Sequence, residues 1–238
     1  MVIDNNNKDP EFASKLATGV STSQLFYISS GGMYKECPDG GAVESSTPVK
    51  EDNACRQVEV ALLESSMADK VTVFRPQYIY GDNTNKRSNV DWFVDRIIRG
   101  MPVPLPGDGS QKVALSHVDD IAELICAAIG KESGIYNCGT DKFMTYWEVA
   151  QAVAEALGKE ARVEYYEPKA LDKALGKPSF PFRPVTFTVN PSKAKSRLGW
   201  TGAKHTLVED LPMWLEQYRA ANLDKKEIEE DAAVSAII

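Results

Sequence analysis

Gln24–Ser30 reads QLFYISS and Val71–Pro76 reads VTVFRP, and these two runs decide the fold. Each is a short apolar and aromatic stretch bounded by turn residues, the pattern of a strand buried on both faces. Glu51–Ala68 lies between them and carries Val58, Ala61, Leu62 and Ser65 at helical spacing. Two buried strands joined by an amphipathic helix imply parallel pairing and a crossover.

Working outward, Val2–Asp4 reads as the end of a strand. Asp9–Val20 is a short helix with Asp9 as its N-cap and Pro10 in its first turn. Pro38–Lys50 is a Gly-, Pro- and Ser-rich loop. After the second strand, the polar loop Gly81–Asn89 leads to a helix over Val90–Gly100, closed by Gly100. Met101–Gln111 (MPVPLPGDGSQ) reads as a loop because of its prolines, and Val113–Ser116 as a short strand. A helix over Val118–Gly130, a strand over Gly134–Gly139, a helix over Thr145–Gly158 and a strand over Ala161–Pro168 follow. The Pro-rich Lys177–Phe187 precedes two helices, Pro191–Gly199 and Leu207–Asn222, and a charged tail. The division expected is 1–135 for a partial sheet domain with lobe insertions, 136–220 mainly for a C-terminal lobe, and 221–238 for the tail.

The 238 residues, 43% apolar and 26% charged, suit a globular protein with one large domain or a domain and a small lobe. No apolar run approaches the roughly 18 residues of a membrane span, so no membrane partner is expected. The N-terminus MVIDNNNKDP has neither the basic nor the apolar region of a signal peptide, and is too acidic and short for a transit peptide. Cys37, Cys55, Cys126 and Cys138 form no CxxC pair and lie at no zinc spacing, so they read as free thiols. His117, Asp119 and Asp120 read as a structural hydrogen-bonding residue and an acidic helix start rather than a metal site, and His205 as a surface loop residue. No metal ligand set is assigned.

The net charge of −7 argues against a protein that simply coats nucleic acid, but the charge is uneven. Lys177–His205 contains no acidic residue and six cations: Lys177, Arg183, Lys193, Lys195, Arg197 and Lys204. Phe180, Phe182 and Phe187 are interleaved with them. Such a run could meet a phosphate backbone and stack bases, or it could be a solvated surface over core phenylalanines.

Four segments in order carry a family resemblance: YISSGGMY at Tyr27–Tyr34, FRPQYIYGDNTN at Phe74–Asn85, GDGSQKVALSHVDDIAELI at Gly107–Ile125, and YNCGTDKFMTYWEVAQAVAEALGK at Tyr136–Lys159 with NPSKAKSRLGW at Asn190–Trp200. Together they resemble the extended short-chain dehydrogenase/reductases, the NAD-dependent epimerase/dehydratase superfamily. The resemblance implies a truncated Rossmann-like, doubly wound parallel sheet with a small C-terminal α/β substrate lobe. It places Ser29, Ser30 and Pro76 at the carboxyl ends of strands, where that fold binds its dinucleotide, with Ser30 at the family's active-site serine.

Two departures bear on chemistry. No G-x-G-x-x-G follows a strand: Gly31–Gly32, Gly40–Gly41 and Gly107 with Gly109 stand in other contexts. The family's phosphate loop is expected to belong to an N-terminal unit missing here, so no cofactor is expected for the chain as written, while NAD(P) belongs to full-length relatives. Second, the family's proton-transferring Tyr, with Lys four residues on, belongs about two dozen residues past the serine. Those places hold Cys55 and Glu59. A Cys–Glu pair supplies no phenol poised by an adjacent cation, so hydride-transfer chemistry is not expected.

FYISSGGMYK, the lost dyad, FRPQYIYGDNTNK and WFVDRIIRGMPVPLPGDGSQ resemble one atypical branch, the chloroplast stem-loop-binding proteins. That resemblance implies binding of structured RNA, association with the plastid ribosome or transcription machinery, a place in the chloroplast stroma, and Mg2+-dependent endonuclease activity. The family's pairing of two helices across a two-fold axis implies a homo- or hetero-oligomer through Pro10–Gly19 and Glu51–Ala68. The alternatives are a truncated NAD-dependent nucleotide-sugar epimerase/dehydratase and a structural scaffold subunit.

Overall fold

The structure is a computed structural model in which residues 1–5, 7–81, 89–168 and 180–228 are described. Lys177, most of the Gly81–Asn89 loop and tail residues 229–238 lie outside the described residues.

In chain order the first elements are β1 (Val2–Asn5), α1 (Pro10–Gly19), β2 (Leu25–Ile28), α2 (Ala54–Leu63), β3 (Val71–Pro76), β4 (Ile79–Tyr80), α3 (Asp91–Ile98), β5 (Val103–Pro106), β6 (Lys112–Val113) and β7 (Ser116–His117). Then come α4 (Val118–Ala127), β8 (Gly134–Cys138), β9 (Met144–Thr145), α5 (Tyr146–Leu157), β10 (Val163–Tyr166), α6 (Ser192–Leu198) and α7 (Leu207–Ala220). They form two compact units that interleave along the chain. Unit 1 is Met1–Ile79, Val118–Asp141 and Thr188–Lys204; unit 2 is Tyr80–His117, Lys142–Phe187 and His205–Ile238. A boundary at 135/136 thus falls inside β8, and Thr188–Lys204 returns to the first unit.

Unit 1 holds a parallel sheet in the order β1-β2-β3-β8. Side chains alternate across a strand, and both faces of this sheet are covered. Phe26, Phe74 and Tyr136 pack with Ile121 and Leu124 of α4 and Ala194 and Leu198 of α6. Leu25, Tyr27, Val71 and Val73 pack with Ala13 and Ala17 of α1 and Val58 and Leu62 of α2. This is the doubly wound arrangement. Helix α1 starts where expected: the Asp9 carboxylate accepts from the amides of Glu11 at 2.9 Å and Phe12 at 3.1 Å, with Pro10 in the first turn. Helix α2 is shorter than its apolar pattern implied. Asn53 caps it, so Glu51 and Asp52 lie outside, and it ends at Leu63, where Ser65 Oγ turns back onto the Leu62 carbonyl.

Unit 2 pairs β5 with β10 in parallel and β6 with β9 antiparallel, with α3, α5 and α7 packed together. Strand β5 corrects the reading of Met101–Gln111 as a loop. The amides of Val103 and Gly107 donate to Arg162 and Tyr166, so the alternate positions, Pro104 and Pro106, need no donor toward β10. The single strand expected over Val113–Ser116 is divided into β6 and β7. Helix α5 opens on a capping box formed by Thr145 and Glu148 and closes on Gly158 at φ 63°.

Candidate functional site

Strands β1, β2 and β3 end on one side of unit 1, and a cleft of about 480 Å³ opens there, lined in part by Lys8, Ser29, Ser30, Asn53, Cys55 and Pro76. The cleft therefore brings together four residues singled out in the sequence: Ser29, Ser30, Cys55 and Pro76. The Ser30 hydroxyl accepts from the Gly32 amide at 3.1 Å, capping the short turn Gly31–Met33. A Cβ at Gly31 would be crowded, lying 3.2 Å from the Pro76 carbonyl oxygen. Tyr78, also at the cleft, has φ 37°, a left-handed conformation that a bulky residue adopts only under constraint. Asn53 caps α2 by accepting from the amides of Cys55 and Arg56.

The two positions that carry the departure are both buried. Cys55 is buried and meets the Tyr27 phenol, whose hydroxyl donates to the Asn7 carbonyl at 2.7 Å. Burial above all, with Cys55, Asp4 and Glu59 adding to it, pushes that phenol up. Glu59 is fully buried and holds Arg75 by two bonds, Nη2 to Oε2 at 2.6 Å and Nε to Oε1 at 2.9 Å. Ser29 Oγ donates to the same carboxylate at 2.7 Å. Arg75 Nη1 donates to the Tyr34 oxygen at 2.9 Å, the Tyr34 hydroxyl donates to Asn137 Oδ1 at 2.7 Å, and Asn137 Nδ2 donates to the carbonyls of Ala42 and Asn190. Burial alone would lower the Arg75 pKa, but the bonds and charge of Glu59 outweigh it and raise it, so the guanidinium stays charged. Burial raises Tyr34 although Arg75 opposes the shift. A cofactor's nicotinamide ribose would find neither a phenol at 55 nor a cation at 59: one side chain meets Tyr27 and the other is committed to Arg75. These two residues do not fit the family's proton-transfer chemistry.

The basic run has a different setting. Phe180, Phe182 and Phe187 are buried, at 8%, 6% and 2% exposure, which corrects any reading of them as stacking surfaces. Phe180 and Phe182 pack on Tyr146, and the Arg183 guanidinium lies 3.6 Å from the Phe187 ring centre. In unit 1, Lys193 donates to the Ile135 carbonyl at 2.8 Å over the Tyr136 ring, and Lys195 pairs with Asp141. Arg197 meets Glu132 at 3.7 Å and Lys204 meets Glu123 at 2.6 Å. Three of these cations thus meet acids, one on α4 and two in the loops flanking β8.

In unit 2, His117 is buried and its ring stacks on His205 at 4.1 Å, with Tyr80 edge-on at 5.3 Å. The rings lie 23° from parallel, and a ring nitrogen of each comes within 4.8 Å of the other, a spacing that a metal ion could also bridge. His205 is half-buried in that stack rather than free on a surface loop.

Three participants were missed in the sequence: Arg75, Tyr34 and Lys8. The available signal was an Arg inside the buried strand VTVFRP and a Glu on the α2 helix, opposite charges in two segments destined for one interior.

A doubly wound parallel sheet with a cleft at the carboxyl ends of its strands is the arrangement of the Rossmann-like α/β folds. Residues 11–139 match the NAD dependent epimerase/dehydratase family, and the chain belongs to that family. It is 32% identical over 216 residues to the chloroplast stem-loop binding protein of 41 kDa b from Arabidopsis thaliana, covering 89% of this chain and 56% of that protein. It is 30% identical over 136 residues to UDP-glucuronic acid decarboxylase 1 of the same plant, covering 57% of this chain and 28% of that one. The chain therefore spans about half the length of the first of these relatives and less of the second. Among solved structures it is similar to the UDP-glucose 4-epimerase of Thermus thermophilus in complex with NAD, with a TM-score of 0.65 and 26% identity over 89% of this chain and 68% of that one. The fold is shared with dTDP-glucose 4,6-dehydratase of Bacillus anthracis, with a TM-score of 0.69 and 20% identity over 90% and 67% of the two chains. Among the described residues no helix is long and apolar enough to cross a membrane.

Proposed function

We propose that this protein binds structured RNA and performs no dehydrogenase or epimerase chemistry. The observation that carries the reading is the buried Glu59–Arg75 pair: the position from which the family's lysine would act on its tyrosine is occupied by a carboxylate locked to a neighbouring cation. Similarity to a stem-loop binding protein over most of the chain supports the RNA side of the reading. With it come an oligomer through α1 and α2, a plastid setting, partnership with the ribosome or transcription machinery, and Mg2+-dependent cleavage of RNA.

The phosphate contacts proposed are Lys177, Arg183, Lys193, Lys195, Arg197 and Lys204. Exposed ion pairs are worth only about 0–1 kcal/mol, so exchanging a surface carboxylate for a phosphate costs little. Ser29, Ser30 and Pro76 then form a vestigial cofactor cleft. The second reading, a nucleotide-sugar enzyme, rests on Ser30 at an open cleft and on the similarity to UDP-glucuronic acid decarboxylase 1.

Filter binding of a stem-loop RNA at several salt concentrations tests the proposal. Affinity should fall with salt at a log–log slope of roughly 0.9 per neutralised phosphate. Substituting Lys195, Arg197 and Lys204 together by Ala should lower that slope by up to roughly 3 and weaken unrelated stem-loops alike. No retained RNA at low salt would end the reading.

A further inference from the structure

The burial of Phe180, Phe182 and Phe187 leaves any base-stacking surface to be sought elsewhere. Three aromatic side chains stand about half exposed among the described residues: Phe12 on α1, Trp147 at 46% and Tyr165 at 51%. The last two belong to unit 2, and their residues border one glycine. A Cβ on Gly109 would lie 3.2 Å from Tyr165 Cε1 and 3.5 Å from Trp147 Cβ. Gly109 has φ 75°, a conformation that side chains rarely adopt. The turn carrying it is stitched to α5: the Trp147 amide donates to the Gly109 carbonyl at 3.1 Å and the Tyr146 amide to the Gln111 carbonyl at 3.0 Å. Tyr165 stands on β10, whose partner β5 runs directly into the same turn. Both rings are therefore mounted on regular elements.

Their surroundings are polar. Asp108 and Ser110 are exposed on either side of Gly109, and Ser110 donates to the Asp108 carboxylate through both its amide and its hydroxyl. Those bonds hold the Asp108 pKa below its usual value, so it is an anion and a hydrogen-bond acceptor. Lys112, exposed, pairs with Thr145 in the β6–β9 ladder, two residues before Trp147. Two flat apolar faces beside an acceptor, a hydroxyl and a cation are the groups that a nucleotide uses: ring face, polar base edge or ribose hydroxyls, and phosphate. A protein helix would instead call for aliphatic neighbours.

We propose that Trp147 and Tyr165, set around Gly109, form a platform that stacks unpaired bases of RNA, with Asp108 and Ser110 meeting their polar edges and Lys112 a flanking phosphate. This rests on the RNA-binding reading and adds a preference to it, for unpaired over fully paired RNA.

The test compares two probes: a hairpin with an unpaired uridine-rich loop and a blunt duplex of equal length. Wild type should bind the hairpin more tightly. Trp147→Ala and Tyr165→Ala should each weaken the hairpin by at least about fivefold, the lower end of stacking losses. Duplex affinity and the salt slope should stay unchanged. Trp147→Phe should retain most hairpin affinity, which separates lost stacking from lost folding. Equal hairpin and duplex affinity in wild type, an unchanged hairpin affinity in both Ala variants, or an equal loss for both probes overturns the platform while RNA binding stands. Failure of wild type to bind either RNA removes the RNA reading and the platform with it, as does Trp147 quenching by neutral oligosaccharides in place of RNA.

Discussion

The two ion-pair regions of unit 1 use the same chemistry in opposite settings. Glu59 and Arg75 meet with 0% and 2% of their side chains exposed. Lys195–Asp141, Arg197–Glu132 and Lys204–Glu123 meet with between 35% and 62% exposed. A buried charge cannot do without its partner, because the alternative is an ion in a medium that solvates it poorly. An exposed charge has water as an alternative. The first region is therefore fixed and structural. The second is exchangeable, and an exchangeable cation is what a phosphate backbone needs.

The largest effects should come from breaking the buried pair. Glu59→Ala should cost about 3–5 kcal/mol of stability, and Glu59→Lys, which sets a second cation beside Arg75, more than that. Replacing both Glu59 and Arg75 by Met should recover much of the loss. Denaturant melts of the single and double variants measure the coupling, and additive losses would show that the pair does not act as a unit.

Next in size is Tyr34→Phe. It strips partners from Arg75 Nη1 and Asn137 Oδ1 in the interior and should cost about 1–3 kcal/mol. The same region predicts alkaline behaviour. The phenols of Tyr27 and Tyr34 are raised by burial, and in unit 2 Tyr218 is pushed up from 10.0 to about 12, by burial first. A raised phenol keeps its proton in the folded state while the unfolded state loses it. Stability is thus fully present below pH 10 and falls as the pH climbs toward 12. Ultraviolet titration should show an early group of exposed tyrosines and a late group that ionises only with unfolding.

The smallest effect belongs to the surface pairs. Lys195→Ala, Arg197→Ala and Lys204→Ala together should change stability by no more than about 1 kcal/mol per pair lost. A loss the size of that from Glu59→Ala would erase the contrast between the regions.

The doubly wound sheet was legible because β2, β3 and β8 are apolar runs separated by helices with one apolar face, and local pattern is enough to write that. Strand β5 was not, because Pro104 and Pro106 resemble a loop until β10 shows that neither position needs a donor. The loss of Tyr and Lys at Cys55 and Glu59 could be read from spacing. What Glu59 does instead could not: Arg75 lies 16 residues away and Asn137 is 103 from Tyr34. The acidic partners of the acid-free run were hidden for the same reason, since Asp141 and Glu123 sit 54 and 81 residues from the lysines they meet. Charge read along a chain is local, whereas charge in a fold is not.

Where the family carries its lysine, Glu59 is held in a buried ion pair with Arg75, and where it carries its tyrosine stands Cys55. Incubating the protein with NAD and UDP- or GDP-sugars, and following both the cofactor and the sugar products, tests most directly the proposal that it performs no dehydrogenase or epimerase chemistry. No reduced cofactor and no altered sugar should appear. Turnover that disappears in Ser30→Ala would contradict the proposal.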